Sequence, residues 1–275
     1  MKTLLLFICL LSSSITLHAQ YYPVGPYHVP ISKYQVLGQA TFKFTYQFTH
    51  IFDVKDTIYS RRSDLHVLLV NNSLSKYYSQ QYDDYCTKAL AKMTTGLAPI
   101  GTCSFEIFKN SPEGKLTEID MGGENWVGGT FMYQEDLPAF DWEIQNDTMT
   151  ILTHVCQKAT TRFRGRDYTA WFASDIPICN GPWKLGGLPG LILKAKDSKN
   201  EVTFHCVGIE KLKEEEPIKL YSLRYTQTSR KKLNDIFKQV SDDIRTYLIA
   251  NDLDATQLPE VIPKTPYNPI ELDFQ

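Results

Sequence analysis

The chain has 275 residues, with 29 Lys and Arg against 31 Asp and Glu and a formal net charge of −2. That balance excludes a polycation built for nonspecific nucleic-acid binding. At 43% hydrophobic and 12% aromatic residues it also excludes a disordered chain, because there is ample apolar surface for a sizeable core.

The N-terminus reads as a secretory signal. Lys2 is a short basic region, Leu4 to Ile15 is apolar, and Leu17-His18-Ala19 is a small-residue cleavage site. The expectation is removal of residues 1–19, leaving a single β-rich domain over 20–275 in the periplasm or on the periplasmic face of the outer membrane. No later stretch approaches the ~20 apolar residues of a membrane-crossing helix, so no transmembrane segment is expected in the mature chain. Five cysteines remain, Cys86, Cys103, Cys156, Cys179 and Cys206; an oxidising compartment permits up to two disulfides among them, in no pairing that the sequence selects.

Tyr21 to Tyr34 is rich in proline and tyrosine and predicts an extended arm. Gln39 to Phe52 then alternates: Ala40, Phe42, Phe44, Tyr46 and Phe48 share one face, and Thr41, Lys43, Thr45 and Gln47 the other. This predicts a half-buried strand. A second strand follows at Asp64 to Val70, and a helix at Ser79 to Met93, where Tyr82, Tyr85, Cys86 and Leu90 keep helical spacing. Short strands are predicted at Thr102 to Lys109, Lys115 to Asp120, Thr130 to Tyr133 and Trp142 to Ile144. The glycine pairs around Trp126 lack the Gly-Lys-Ser/Thr of a phosphate loop, so they predict a turn and no cofactor.

Further strands are predicted at Thr148 to Thr161, Tyr168 to Ala173, Leu188 to Lys194 and Glu201 to Ile209, followed by a charged strand end from Glu210 to Glu216. Thr228 to Ala250 predicts a long helix burying Leu233, Phe237, Val240, Ile244 and Leu248, capped by Thr228 or Ser229 and ended by a left-handed Asn251. The tail from Pro259 is proline-rich. The fold class is mainly β: a large curved antiparallel sheet or half-barrel carrying one long C-terminal helix, with a two-sheet sandwich as the alternative.

Candidate chemistry gathers between Cys156 and Ile192. Arg162, Arg164 and Arg166 are spaced two apart, so a continuous strand would line up three planar forks suited to carboxylate or phosphate. Gly165 opposes this by predicting a hairpin turn at Arg164 to Asp167, and the alternative for Arg166 is a structural strut on a carboxylate such as Asp167 or Asp175. Trp126 or Trp171 could wall a site for an anionic or peptide ligand. A metal or thiol alternative uses His154, Cys156, His205 and Cys206, although no CxxC or HxxxH spacing supports it. No nucleophile motif of a hydrolase is present, which leaves a dispersed catalytic site as the enzymatic alternative.

The stretch closes on Gly187-Leu188-Pro189-Gly190-Leu191-Ile192. With the upstream Gly165-Arg166, Ala170-Trp171-Phe172 and Gly181-Pro182-Trp183, it resembles the GLPGLI family of exported envelope proteins from Bacteroidetes-type bacteria. The resemblance implies an envelope location and no established activity. Together with the absence of a catalytic signature, it leads to the expectation of a non-catalytic binding protein that assists an outer-membrane transport or assembly partner. The hexapeptide itself predicts a bend, because glycine permits positive φ and proline belongs at a strand start or bulge.

Overall fold

Alternating burial along Tyr34–Ile51 makes this segment, β1, the central strand of the protein. The computed structural model describes residues 33–58, 60–89, 103–121, 130–251 and 264–273. The expected signal, the N-terminal arm up to residue 32 and Trp126 with its glycines lie outside the described residues. β1 pairs antiparallel with β2 (Arg61–Val70) on one side and with β11 (Val202–Tyr221) on the other. The remaining strands are β3 (Ser75–Ser79), β4 (Phe105–Lys109), β5 (Lys115–Asp120), β6 (Phe131–Asp136), β7 (Glu143–Ile151), β8 (His154–Phe163), β9 (Arg166–Ala173), β10 (Leu191–Asp197) and β12 (Thr226–Gln227).

All twelve join one sheet in the order β12-β6-β5-β4-β3-β2-β1-β11-β10-β9-β8-β7, which is not closed into a barrel. Every described pairing is antiparallel except β12 on β6, so the sheet is mixed. The mainly β expectation holds.

The main core gathers Phe44, Tyr46, Phe48, Leu68, Tyr77, Ile107, Tyr168, Phe172, Trp183 and Phe204. The next residue along each of three strands enters a second cluster: Leu69 follows Leu68, Tyr78 follows Tyr77 and Phe108 follows Ile107. Successive side chains point to opposite faces, so β2 to β4 are buried on both. That explains why β3, Ser-Lys-Tyr-Tyr-Ser, is absent from the sequence reading. Its five residues are all buried and show no period of two. The predicted helix at 79–93 begins only at Gln80, after Ser79 caps it, and passes into a π-helical turn at Tyr85–Ala89.

Two further differences are instructive. The segment predicted as one strand over 148–161 is a hairpin of β7 and β8, turned at Leu152 with φ 53°. β11 continues through the charged run and Pro217 to Tyr221, because bulges between Val36 and Gly38 and between Ala40 and Phe42 absorb the irregular residues.

The long helix is α2 (Arg230–Ala250); α1 is the short helix Gln80–Asp84. Ser229 caps α2 by accepting from the Lys232 N–H. It packs Leu233, Val240, Tyr247 and Leu248 against Phe131 and Tyr133 of β6, with Phe237 and Ile244 half-buried. The helix is kinked at Asp243 (φ −159°, ψ 89°), whose carboxylate caps the following turn by accepting from the N–H and Oγ1 of Thr246. Asn251 ends it at φ −111°, outside the left-handed region that was expected.

Candidate functional site

Arg164 and Gly165 both take positive φ, 51° and 77°, forming the two-residue hairpin between β8 and β9. The turn scatters the arginines. Arg162 is exposed and pairs with Asp167 across the hairpin at 3.1 Å. Arg164 pairs with Glu135 at 2.7 Å and with Asp273 at 3.6 Å. Arg166 is buried, its guanidinium bonded to Asp197 (2.9 Å), Glu201 (2.7 Å), Asn268 Oδ1 and the carbonyls of Pro269 and Ile270. The structure therefore brings no three-arginine row together; the strut geometry is the one present at Arg166.

The hexapeptide is a bend. Gly187 has φ 80° and Gly190 φ 154°, and a Cβ on Gly190 would stand 2.3 Å from the Ala173 carbonyl oxygen. Pro189 is exposed, whereas Leu188, Leu191 and Ile192 are buried, with Leu191 opening β10. Trp183, itself at φ 51°, is buried and stacks on Phe204 with centroids 6.3 Å apart.

Beside it Lys184 is a buried cation. It donates to Glu271, to the Tyr133 hydroxyl at 2.6 Å, and lies 2.7 Å from Glu118. Burial opposes its charge, but Glu118, Glu271 and Glu135 outweigh that and raise its pKa. Burial likewise pushes the Glu271 carboxyl up, and Lys184 and Arg230 outweigh it, holding the carboxyl below its ordinary value. Next to this network a cavity of about 160 Å³ lies between α2, the sheet and the tail, lined by His50, Phe52, Asp120, Tyr133, Phe237 and Pro269 among others.

A larger cleft, about 420 Å³, opens where four loops meet: Asn71–Leu74, Asn110, Leu137–Phe140 and Pro177–Gly187. Its walls are rigidly built. Asn71 Oδ1 accepts from the Ser73 and Leu74 N–H groups, and Asn110 Nδ2 donates to the Ser73 carbonyl. Lys109 Nζ donates to Asn180 Oδ1 and to the carbonyls of Gly181 and Leu185, all within 2.8 Å, fastening the Trp183 loop to β4. Burial lowers the Lys109 pKa to about 7. Trp142 Nε1 donates to the Gly186 carbonyl at 2.9 Å, and Phe140 stacks on Trp142. The open lining is neutral: Thr41, Asn72 and Ser73 with the rings of Phe42 and Phe140.

The proposed metal or thiol set does not assemble. His205 and Cys206 are consecutive on β11, so they face opposite sides; His205 is exposed and Cys206 buried. His154 instead contacts Asp175 at 2.7 Å. Burial pushes the Cys156 thiol up to about 11 and the Cys206 thiol to about 12, which disfavours the thiolate needed for ligation or attack. Among the described residues no three His, Cys, Asp or Glu side chains converge as a metal site, and all five described cysteines are free thiols. Trp171 is half-buried on β9, with Lys194 Nζ 5.5 Å from its ring centroid.

Lys109, Lys184, Asn180 and Phe140 were not singled out by sequence reasoning. Only Lys184 had a visible signal, a lone lysine inside the apolar run from Pro182 to Ile192.

A family model described as N-glycanase peptide, N-terminal domain, matches residues 132–235, covering β6 to β12 and the start of α2. Two solved structures of PNGF-II, in the P21 and C2 space groups, share the architecture. They give TM-scores of 0.51 and 0.50 at 13% and 14% identity, each over 74% of this chain. The likeness is one of fold. The aligned part covers 34% of the PNGF-II chain, so this protein matches about a third of that length. No curated protein matches the chain.

Proposed function

We propose that the protein is an exported, non-catalytic binding module whose loop cleft holds a stretch of oligosaccharide, in the service of an outer-membrane transport or assembly partner. The observation that carries this reading is the cleft lining: neutral hydroxyl and amide groups beside two aromatic rings, on loops fixed by their own hydrogen bonds. Sugars present hydroxyls at their edges and C–H groups on their faces, and such a lining answers both. A charged ligand is disfavoured there, because Lys109 Nζ is turned away to Asn180, Gly181 and Leu185 and burial opposes its charge. The N-glycanase named by the matching family model supports a carbohydrate setting. Export rests on the signal-like N-terminus and the GLPGLI resemblance.

The same geometry disfavours catalysis by the acidic cavity. Acid–base chemistry by a pair of carboxyls needs one kept protonated and the other ionised. Glu271 is held ionised, and Glu118 and Glu135 lean on the same lysine. The test is a glycan array followed by calorimetry on the mature protein. Binding of an oligosaccharide is expected, weakened at least tenfold by Phe140→Ala, which also loses stability because the ring packs on Trp142 and Phe163. Asn72→Ala, at an exposed residue of the lining, should weaken it with the melting temperature preserved. No glycan binding would overturn the reading, as would release of a glycan from an N-glycopeptide incubated with the protein.

A further inference from the structure

A second surface, sharing no residue with the cleft lining, has a composition of its own. Cross-strand register places Lys158, Trp171, Lys194, His205 and Gln47 in one row over β8, β9, β10, β11 and β1. The neighbouring row, two residues along each strand, is Thr160, Thr169, Lys196, Thr203 and Thr49. Residues directly opposite share a face, and none of these ten is buried, so the rows form a solvated sheet face.

The charge on this face is uneven. Lys158 leans on Asp147 at 3.7 Å, towards the β7 edge. Lys194 and Lys196 have no carboxylate partner among the described residues: Lys194 sits over the Trp171 ring, and Lys196 donates to the Asn200 side-chain oxygen at 2.9 Å. His205, its pKa lowered by partial desolvation and then by Lys194, adds an imidazole that can exchange hydrogen bonds. Two open cations, one indole and a band of threonine hydroxyls thus stand together on a chain whose net charge is −2.

We propose that this face binds a carboxylated polysaccharide laid across β9, β10, β11 and β1. Adjacent strands repeat every ~4.8 Å, close to the length of one pyranose unit, so a row running across strands offers one contact per sugar. Lysine supplies point charges for carboxylates, the Trp171 ring holds Lys194 in place and adds apolar surface beside it, and the threonines supply partners for hydroxyls. A lipid surface would call for a broad band of protruding aliphatic side chains, whereas these two rows have none and the exposed aliphatic residue at their β2 end is Leu65, opposite Gln47. The inference stands apart from the cleft, so either can fail alone.

The probe is polygalacturonate, with neutral dextran and phosphatidylglycerol vesicles as comparisons, titrated into the full chain by calorimetry and tryptophan fluorescence. Polygalacturonate should bind with an affinity that falls as salt is raised, and dextran and vesicles should not. Lys194→Gln with Lys196→Gln should weaken binding at least tenfold while preserving the melting temperature, and Trp171→Ala should do likewise. Phe140→Ala, in the cleft, should leave it unchanged. Should Trp171→Ala fold poorly, the lysine pair decides alone, since both side chains are only half-buried. No binding of polygalacturonate, equal binding of dextran, binding of vesicles in its place, or full affinity in the folded lysine variant would each overturn the proposal.

Discussion

Arg166 Nε donates to the carbonyl oxygen of Ile270 at 2.8 Å, across 104 residues of sequence. The other two guanidinium nitrogens reach Asp197 and Glu201 on one side and Asn268 and Pro269 on the other. One buried side chain therefore joins β9, the β10–β11 turn and the C-terminal tail. Asn268 extends the tie by donating from Nδ2 to the Ile51 carbonyl at the end of β1. The tail is held over the small cavity beside α2 by this junction and by Arg230, which contacts Glu271 at 2.9 Å and Asp273 at 2.8 Å.

Arg166→Gln is expected to destabilise the protein by about 3–5 kcal/mol, because it strands the buried Asp197 carboxylate and frees the tail. Arg162→Gln should change stability by less than about 1 kcal/mol, its pair being exposed. Urea unfolding of the two variants measures the contrast. Equal losses would mean that Arg166 does not carry the junction.

His50, buried at 5% exposure, lines the cavity under the tail. Burial first, and then the Arg166 charge, lower its pKa to about 4 from an ordinary 6.5. Between these values the unfolded chain binds more protons than the native one, so stability falls as pH drops through that window. The full shift corresponds to a loss of about 3 kcal/mol by pH 4. His50→Gln should flatten this part of the stability–pH curve, measured by urea midpoints from pH 7 to pH 4.

The two glycines of the hexapeptide should respond differently to alanine. At Gly190 the new methyl would collide with the Ala173 backbone, which cannot move without opening the β9–β10 pairing, so Gly190→Ala should accumulate poorly. At Gly187 the nearest atom is a Phe140 ring carbon at 3.6 Å, an ordinary contact. Only the left-handed backbone is strained there, and Gly187→Ala should cost about 1–2 kcal/mol. Soluble yield and melting temperature of both variants test this.

The sequence made a strut at Arg166 readable as one of two options, but on a nearby carboxylate such as Asp167 or Asp175. The structure uses Asp197 and Glu201, while Asp167 pairs with Arg162 and Asp175 with His154. Strand alternation favours a row of arginines, and the Arg164-Gly165 turn decides against it. β1 was legible because its burial alternates, and α2 because its apolar spacing does. β3 was not, since Lys76 is buried against Glu106 at 2.8 Å and near the Tyr78 and Tyr221 rings, so a charged residue occupies a core position. The cleft was illegible for a different reason. Its four loops are distant in sequence, and only the sheet order brings β2–β3, β4–β5, β6–β7 and β9–β10 connections to one place.

Lys184 provides the last test. Its ammonium is the shared partner of Glu118, Glu135 and Glu271, with Tyr133 bonded to both Lys184 and Glu118. Lys184→Met keeps most of the volume and removes the charge, leaving carboxylates clustered with only Arg164 and Arg230 to offset them. A loss of about 3–5 kcal/mol is expected at pH 7. Glu271, held below its ordinary pKa, contributes stability that is present above the unfolded value of 4.5 and is lost as pH falls through the folded one. The gap between wild type and Lys184→Met should therefore narrow as pH falls from 4.5 towards 3 and Glu271 takes up its proton. Glu271→Gln in the Lys184→Met background should recover part of the loss, giving a non-additive double-mutant cycle. A gap that stays constant from pH 7 to pH 3, with additive single effects, would show that Lys184 matters for packing and not for the charge it brings.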